Sequence, residues 1–195
     1  MGEKLACSIL AGMPVISKAG TASAMLAWRV SELIVASGLL PEGAFQFIPG
    51  SISAMTSLLE PMDVVAFTGS AKTGNRIRSN ANCIEKSVRI NIEADSINSA
   101  VLGPDCDFDD DSFTQFIANL HTDMTQKAGQ KCTAVRRVLV PSEKLDEVKE
   151  ALVDRLKTTR IGNALDSAVR MGPVASAAQL DDVRGGIQKL QSDCD

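Results

Sequence analysis

Cys132 lies between a Gly-Gln step and a Thr-Ala step, immediately before a β-like run at 136–140. A cysteine at the mouth of a loop is where a thiolate nucleophile is expected, because a nucleophile must be reached by its substrate. The common alternative for a cysteine is a buried, inert thiol, which is the interpretation we give to Cys7 and Cys83. Gly129 and the polar neighbours of Cys132 argue against burial, so Cys132 is the candidate nucleophile.

A second candidate is the glycine turn from Gly69 to Gly74, which follows a predicted strand and opens a predicted helix. Such a turn lets backbone N–H groups and a helix N-terminus face a phosphate. A Walker A loop would continue with Lys and Ser or Thr, whereas this chain has Asn75 and Arg76, so an ATPase loop is excluded. The spacing alone favours a turn that uses glycine only for its conformational freedom.

Two charged residues stand at the ends of predicted strands. Glu93 ends the fourth strand, where a carboxylate is well placed to act as a base in a crevice, and Asp95 is a rival for that role. Taken alone, a single glutamate is more often a solvated turn residue. Lys18 closes the first strand and, taken alone, is a solvated surface charge.

The acidic run at 105–111 and the single histidine carry no predicted site. An EF-hand needs Gly at its sixth position and Glu at its twelfth, but counting from Asp105 these are Asp110 and Phe116. We interpret the run as a solvated loop whose aspartates cap the next helix. His121 falls in the middle of a predicted helix, and no spacing places it beside the cysteine, so we assign it no catalytic role.

Composition limits the classes of function. The chain has 195 residues, a net charge of −4 with dispersed basic residues, and only 4% aromatics, which argues against nucleic acid as a partner. No apolar run reaches the roughly 18 residues needed to span a bilayer, so no membrane association is expected. The five cysteines are odd in number and contain no C-x-x-C, which disfavours a zinc site and suggests free thiols in a reducing cytoplasm.

Strands and helices alternate along the chain, which predicts an α/β fold with a Rossmann-like parallel sheet. The predicted strands are 13–17, 44–48, 63–67, 87–92, 97–102 and 135–140. The predicted helices are 3–12, 22–37 (capped by Thr21), 52–59, 71–79, 113–125, 143–157 and 179–190. The regular alternation of strands and helices changes near residue 95, where we expect a domain boundary.

Three segments resemble the aldehyde dehydrogenase superfamily. Lys-Ala-Gly-Gln-Lys-Cys-Thr-Ala (127–134) is similar to its catalytic-cysteine motif, and Val-Val-Ala-Phe-Thr-Gly-Ser (64–70) to its nucleotide loop, which now favours the phosphate-binding interpretation of the glycine turn. Asn-Ile-Glu-Ala-Asp-Ser (91–96) matches the segment of the general base, with Asp95 and Ser96 at two positions that usually hold glycine. The strings at 91–96 and 124–134 look closest to the semialdehyde dehydrogenases of aerobic aromatic-acid degradation through CoA thioesters, of the phenylacetate and benzoyl-CoA pathways. The interval from base to cysteine, 132 − 93 = 39 residues, fits one subgroup of the family.

The resemblance covers essentially the whole chain and implies a role for each site residue. Residues 1–95 would be part of an NAD(P)-binding domain and 96–195 part of a catalytic domain. Cys132 would attack the aldehyde and Glu93 would activate the water that hydrolyses the thioester. The residues expected to bind the cofactor are Lys18, Thr21, Gly50, Ser51, Gly69, Ser70 and Gly74. Thr21 stands where the family often has a glutamate that repels a 2′-phosphate, so NADP is the expected cofactor and NAD the alternative.

The resemblance also implies that the chain is the middle of a larger enzyme. The family's oxyanion-hole asparagine would precede it, and the glutamate that grips the nicotinamide ribose would follow it. We therefore expect the isolated chain to be inactive and the full-length protein to be a homo-oligomer acting on a small aldehyde, with a CoA-linked semialdehyde left open. The alternatives are a non-catalytic nucleotide-binding fragment or degenerate paralogue, and a cysteine acyltransferase or hydrolase without nicotinamide.

Overall fold

The computed structural model describes residues 1–51 and 53–194. The chain divides into two compact units, Met1–Asp95 and Ser96–Asp195, called here the first and second units. The α-helices are α1 (Gly2–Leu10), α2 (Ala24–Ala36), α3 (Ala71–Arg78), α4 (Ala81–Glu85), α5 (Asp111–Thr125), α6 (Leu145–Lys157) and α7 (Ala177–Asp193). The strands are β1 (Val15–Ser17), β2 (Phe45–Phe47), β3 (Val64–Gly69), β4 (Arg89–Ala94), β5 (Ser99–Val101) and β6 (Arg137–Leu139). Short 3-10 turns lie at Thr21–Ser23, Ser53–Leu58, Gln126–Gly129 and Ser142–Lys144.

Every strand ladder is parallel, which confirms the predicted α/β class. Within the described residues the strands pair two by two, as β1 with β2, β3 with β4, and β5 with β6. The longest ladder joins β3 to β4, from Val64 opposite Arg89 to Gly69 opposite Ala94. Parallel neighbours need a crossover connection, and α3 with α4 supplies it between these two strands.

In the first unit the strands are covered on one face only. Residues of β3 and β4 alternate between half-buried and exposed along each strand. The prediction that 13–17 forms a buried parallel strand is therefore wrong in its burial, since β1 covers only Val15–Ser17 and Ile16 is 50% exposed. A parallel strand is buried on both faces only when helices cover both, and here the second face is open.

The second unit has a continuous apolar core between α5 and α6. Phe113 and Ile117 of α5 are buried with Leu102, which follows β5, and with Val148 of α6. Phe113 and Ile117 are four positions apart and so lie on one face of α5, which is the spacing that buries an amphipathic helix. The core fixes α5, and the cysteine loop leaves the C-terminal end of that helix.

Helix starts differ most from the sequence-based expectation. Thr21 does not cap α2, because it lies inside a 3-10 turn and the helix begins three residues later at Ala24. Asp110 occupies the N-cap position of α5, but its carboxylate accepts the Asp107 N–H (3.0 Å) instead of a helix N–H. The predicted helix at 52–59 is a 3-10 turn over Ser53–Leu58, and its expected first residue, Ile52, lies outside the described residues.

Helix α4 was not predicted, because its five residues show too short a periodic pattern. Its N-cap is Asn80, whose side chain accepts the Cys83 N–H (3.3 Å). The strand that follows runs to Ala94, so Glu93 is the penultimate residue of β4 and not its end.

Candidate active site

The loop that carries Cys132 begins with an unusual backbone. After α5 the chain passes through three consecutive residues with left-handed conformations: Lys127 (φ 51°), Ala128 (φ 52°) and Gly129 (φ 71°). Only the glycine adopts this conformation without cost, since each of the other two loses about 1–2 kcal/mol. Surrounding contacts must therefore hold the loop in this shape.

Asp123, in the last turn of α5, supplies two of those contacts. One carboxylate oxygen accepts a hydrogen bond from the Lys131 ammonium and the other accepts the Val135 N–H, so the carboxylate spans both sides of Cys132. The hydrogen bond from Lys131, and then that from Val135, hold the pKa of the Asp123 carboxyl below its ordinary value of 3.8. The Lys131 ammonium also donates to Gln126 Oε1 (3.0 Å).

Asn98 approaches the loop from the start of β5. Its side-chain amide donates to the backbone oxygens of Cys132 (2.7 Å) and Ala134 (3.2 Å). Cys132 itself is exposed. None of the described residues accepts a hydrogen bond from its backbone N–H, so that N–H is available to a ligand.

The five thiols differ in their surroundings. Cys83 is buried, with 2% of its surface exposed, which agrees with its assignment as an inert core residue. Cys7 is exposed, so its predicted burial is wrong: the open side of α1 leaves it in solvent. Cys194 is also exposed and Cys106 is half-buried. Exposure alone therefore does not single out Cys132 among the thiols.

Glu93 lies in the first unit, opposite Thr68 in the β3–β4 ladder. Its carboxylate pairs with the Lys4 ammonium (3.1 Å) and accepts a hydrogen bond from the Thr68 hydroxyl (3.4 Å). The rival base, Asp95, has a different partner, because its carboxylate accepts the Ala71 N–H (3.3 Å) at the start of α3. Asp95 also has φ 52°, which a residue at a usual glycine position needs in order to follow the same backbone.

The glycine turn forms the junction of β3 and α3 as predicted. Ser70 is the N-cap, and its hydroxyl accepts the Thr73 N–H (3.3 Å). Gly74 is buried, and a methyl group there would lie 2.8 Å from Ile92 Cγ2, so the residue is needed for α3 to approach β4. Gly69 ends β3, where a β-carbon would come within 2.6 Å of the Phe67 ring.

The remaining predicted cofactor residues are all exposed. Lys18 follows β1 directly, and among the described residues its ammonium has no hydrogen-bond or ion-pair partner. Thr21 begins the next turn, and Gly50 (φ 87°) and Ser51 follow β2. An ammonium and a hydroxyl beyond the carboxyl end of a parallel strand are a donor set that suits ribose hydroxyls or a phosphate, so these residues fit a dinucleotide.

His121 makes a hydrogen bond that links two segments of the second unit. Its Nε2 pairs with the Thr159 hydroxyl at 2.8 Å. Burial, followed by the positive charges of Arg155 and Arg170, lowers the pKa of His121 below 6.5.

Across residues 1–51 and 53–194, no group of three histidine, cysteine or acidic side chains is placed to hold a metal ion. In the same part of the chain, no helix is long and apolar enough to cross a membrane.

Three residues around the candidate groups had no signal in the sequence. Lys4 lies 89 positions from its partner Glu93, and Asn98 lies 34 positions from Cys132. Asp123 resembled any other acidic residue near a helix end. Its pairing with Lys131, eight positions away, is visible only in the folded loop.

Comparison with known proteins agrees with this geometry. The profile of the aldehyde dehydrogenase family matches residues 1–194. The 3,4-dehydroadipyl-CoA semialdehyde dehydrogenase of Aromatoleum evansii is 41% identical over 99% of this chain and 38% of its own length. The geranial dehydrogenase of Castellaniella defragrans is 30% identical over 95% of the chain and 37% of its own length. The betaine aldehyde dehydrogenase of Staphylococcus aureus, solved in complex with NAD+, superposes with a TM-score of 0.82 at 27% identity, over 93% of this chain and 35% of that one.

The chain thus spans 38% or less of the length of these relatives. The family match over residues 1–194 includes the cysteine loop, the glycine turn and the segment of Glu93. The chain belongs to the aldehyde dehydrogenase family.

Proposed function

We propose that the protein containing this chain oxidises an aldehyde to a carboxylic acid with NADP or NAD, using Cys132 as nucleophile and Glu93 as base. The observation that carries the proposal is the state of Cys132, an exposed thiol with an uncommitted backbone N–H on a loop held from both sides. Membership of the aldehyde dehydrogenase family supports this assignment.

In the first step the Cys132 thiolate attacks the aldehyde carbon and the carbonyl oxygen becomes an oxyanion. The Cys132 N–H is the donor in this chain that can hold that oxyanion, and a donor already in place stabilises charge without reorganisation. The product of attack is a thiohemiacetal on Cys132, and loss of hydride from it leaves a thioester.

Glu93 serves the release of the acid. Its carboxylate, which contacts the Lys4 ammonium and the Thr68 hydroxyl, would take a proton from the water that attacks the thioester. Release by transfer to coenzyme A would need no such base, so Glu93 favours hydrolysis. Asp95 accepts the Ala71 N–H at the start of α3 and stays the rival candidate for this role.

The nicotinamide cofactor, when bound, accepts the hydride. Lys18 and Thr21 would hold its adenosine ribose, and Ser70 with the start of α3 would face its phosphates. Gly50 and Ser51 would lie along the same edge. Gly69 and Gly74 act by allowing the close packing of β3, α3 and β4. Thr21 carries no charge that would repel a 2′-phosphate, so NADP is the preferred form.

For the substrate we propose a semialdehyde, with a CoA-linked form the more specific case. The relative from Aromatoleum evansii is named for a CoA-linked semialdehyde, and a second relative, from Halomonas elongata and 30% identical, for aspartate semialdehyde.

Residue-mapped alkylation tests the proposal on this chain. Iodoacetamide is added with and without NADP, and with succinic semialdehyde or succinate as a matched pair that differs in the aldehyde alone. We expect Cys132 to react at least about tenfold faster than Cys7 and Cys194, which are also exposed and serve as internal references. The aldehyde should slow Cys132 by forming a thiohemiacetal, whereas succinate should not.

The outcomes separate the candidate functions. If the three exposed cysteines respond alike to every addition, Cys132 is not an activated nucleophile and the proposal fails. If NADP slows the alkylation of the chain while Cys132 reacts no faster than Cys7, the chain is a nucleotide-binding module without catalysis. If thioesters acylate Cys132 without any effect of NADP, the acyltransferase alternative replaces the dehydrogenase.

A further inference from the structure

Both peptide groups that flank Cys132 are held by side chains from elsewhere in the second unit. The carbonyl of the preceding peptide, Lys131 O, accepts the Ala134 N–H (3.2 Å) and Arg136 Nη2 (3.2 Å). The carbonyl of the following peptide, Cys132 O, accepts the Asn98 amide (2.7 Å).

Holding these carbonyls sets the direction of the Cys132 N–H. A peptide group is planar and trans, so its N–H points opposite to its C=O. Because Arg136 binds Lys131 O, the Cys132 N–H in the same peptide points away from the guanidinium. That direction is where the N–H meets no acceptor among the described residues.

The second contact fixes the thiol relative to that N–H. The orientations of the two peptide planes that flank the Cys132 Cα determine its φ and ψ angles. These angles determine the direction in which the thiol side chain leaves the backbone. Asn98 also binds Ala134 O (3.2 Å), and its own backbone oxygen accepts the N–H groups of Arg136 (2.8 Å) and Arg137 (3.2 Å). Asn98 therefore ties the whole segment after Cys132 to the start of β5.

Arg136 extends the same restraint to the strained part of the loop. Its Nη1 donates to Gly129 O (3.3 Å), the last of the three left-handed residues. The guanidinium of a residue after the cysteine thus binds two backbone carbonyls before it, in the forked geometry that arginine provides and lysine does not.

We propose that Asn98 and Arg136 are positioning residues that fix both peptides flanking Cys132, so that its thiolate and its own N–H act together on one carbonyl group. The inference rests on the proposed function, because it concerns the oxyanion that forms when Cys132 attacks. Neither residue touches the substrate, and each acts through the backbone of the cysteine.

Two reagents separate positioning from simple reactivity. p-Nitrophenyl acetate acetylates a thiolate: sulfur bonds to the acyl carbon, a tetrahedral oxyanion forms, and p-nitrophenolate leaves with the electron pair of the broken bond. Iodoacetamide reacts at a saturated carbon, where sulfur displaces iodide and no oxyanion develops. The ratio of acetylation to alkylation at Cys132, divided by the same ratio at Cys7, therefore reports oxyanion stabilisation alone.

The variants are Asn98→Asp, which replaces the donor by an acceptor of the same shape, and Arg136→Lys, which keeps the charge but loses the fork. Matched controls make the same chemical changes at exposed positions of the second unit, Asn119→Asp and Arg137→Lys. Amide exchange of α5 verifies that each variant is folded.

We expect the normalised ratio to fall about tenfold in Asn98→Asp and at least about threefold in Arg136→Lys, since losing an oxyanion donor entirely costs about 100- to 1,000-fold. Both controls should match the unchanged chain. Ratios within twofold of the unchanged chain in both variants would overturn the positioning roles while leaving the proposed function in place. A ratio of one in the unchanged chain would refute the oxyanion step itself, and with it this inference.

Discussion

Replacement of Asp123 by alanine is the most direct test of how the cysteine loop is held. The change removes the acceptor of both the Lys131 ammonium and the Val135 N–H, and these are the contacts that join the two sides of Cys132. Two left-handed non-glycine residues lie in the same loop, so the backbone has a reason to leave this conformation once the contacts are gone. We expect the loop to open locally while the core of α5 and α6 stays folded.

The magnitude follows from the two bonds. A hydrogen bond to a charged group contributes about 1.5–3 kcal/mol. The side chains of Asp123 and Lys131 are 21% and 16% exposed, so both bonds belong near the low end of that range. Lys131 also keeps its bond to Gln126, which reduces the loss further. The sum is about 2–3 kcal/mol of local opening free energy, or roughly 30- to 150-fold in an exchange rate.

Hydrogen exchange of the Val135 amide, followed by mass spectrometry or NMR, measures this quantity directly. Asp109→Ala is the matched control, because Asp109 is an exposed acidic residue that makes no hydrogen bond or ion pair with the described part of the chain. Asp123→Asn keeps an acceptor oxygen without the charge, and we expect about half the effect. In a double-mutant cycle, Asp123→Ala and Lys131→Met should couple by about 1 kcal/mol, as residues in direct contact do.

Acid provides an independent reading of the same contact. The folded-state pKa of Asp123 is below 3.8, so the unfolded chain binds the proton more readily than the native one. The stabilisation is complete above pH 3.8 and is lost as the pH falls through the lowered folded-state value. The difference between the unchanged chain and Asp123→Asn should shrink over that interval. The reasoning would be refuted if the exchange rate of the Val135 amide rose less than about threefold in Asp123→Ala and matched the rate in the Asp109→Ala control.

Further changes give predictions of either sign. Gly74→Ala should lower the free energy of unfolding by about 1–3 kcal/mol in urea denaturation, because the new methyl group would lie 2.8 Å from Ile92 Cγ2. Gly185→Ala should raise it by about 0.5–1 kcal/mol, since that position is inside α7 with open space around it, and equal effects at the two glycines would contradict the packing argument. Burial, and then two nearby arginines, lower the pKa of His121, so the unfolded chain binds the proton more readily and stability should decline as the pH falls below 6.5 towards the lowered folded-state value. NMR titration of this single histidine, with His121→Gln as the control that lacks the pH dependence, tests the assignment.

Local sequence patterns predicted those structural features that depend only on residues close together in the chain. Alternating strands and helices predicted the α/β class, and the glycine turn predicted the junction of β3 and α3. The polar, glycine-containing surroundings of Cys132 predicted an exposed thiol. Each of these follows from backbone conformations and apolar periods that a short window of sequence specifies.

The contacts and the exposure of the candidate side chains could be read only from the tertiary structure. The pairing of Lys4 with Glu93, the reach of Asn98 to Cys132 and the exposure of Cys7 depend on segments that are distant in sequence. The left-handed conformation of Ala128 is likewise opposed by local preference, and Ala128 lies in the loop that Asp123 and Arg136 contact. Sequence alone thus supplied the candidate residues for the chemistry, whereas tertiary structure determined which side chains hold them, because those contacts form only when distant parts of the chain meet.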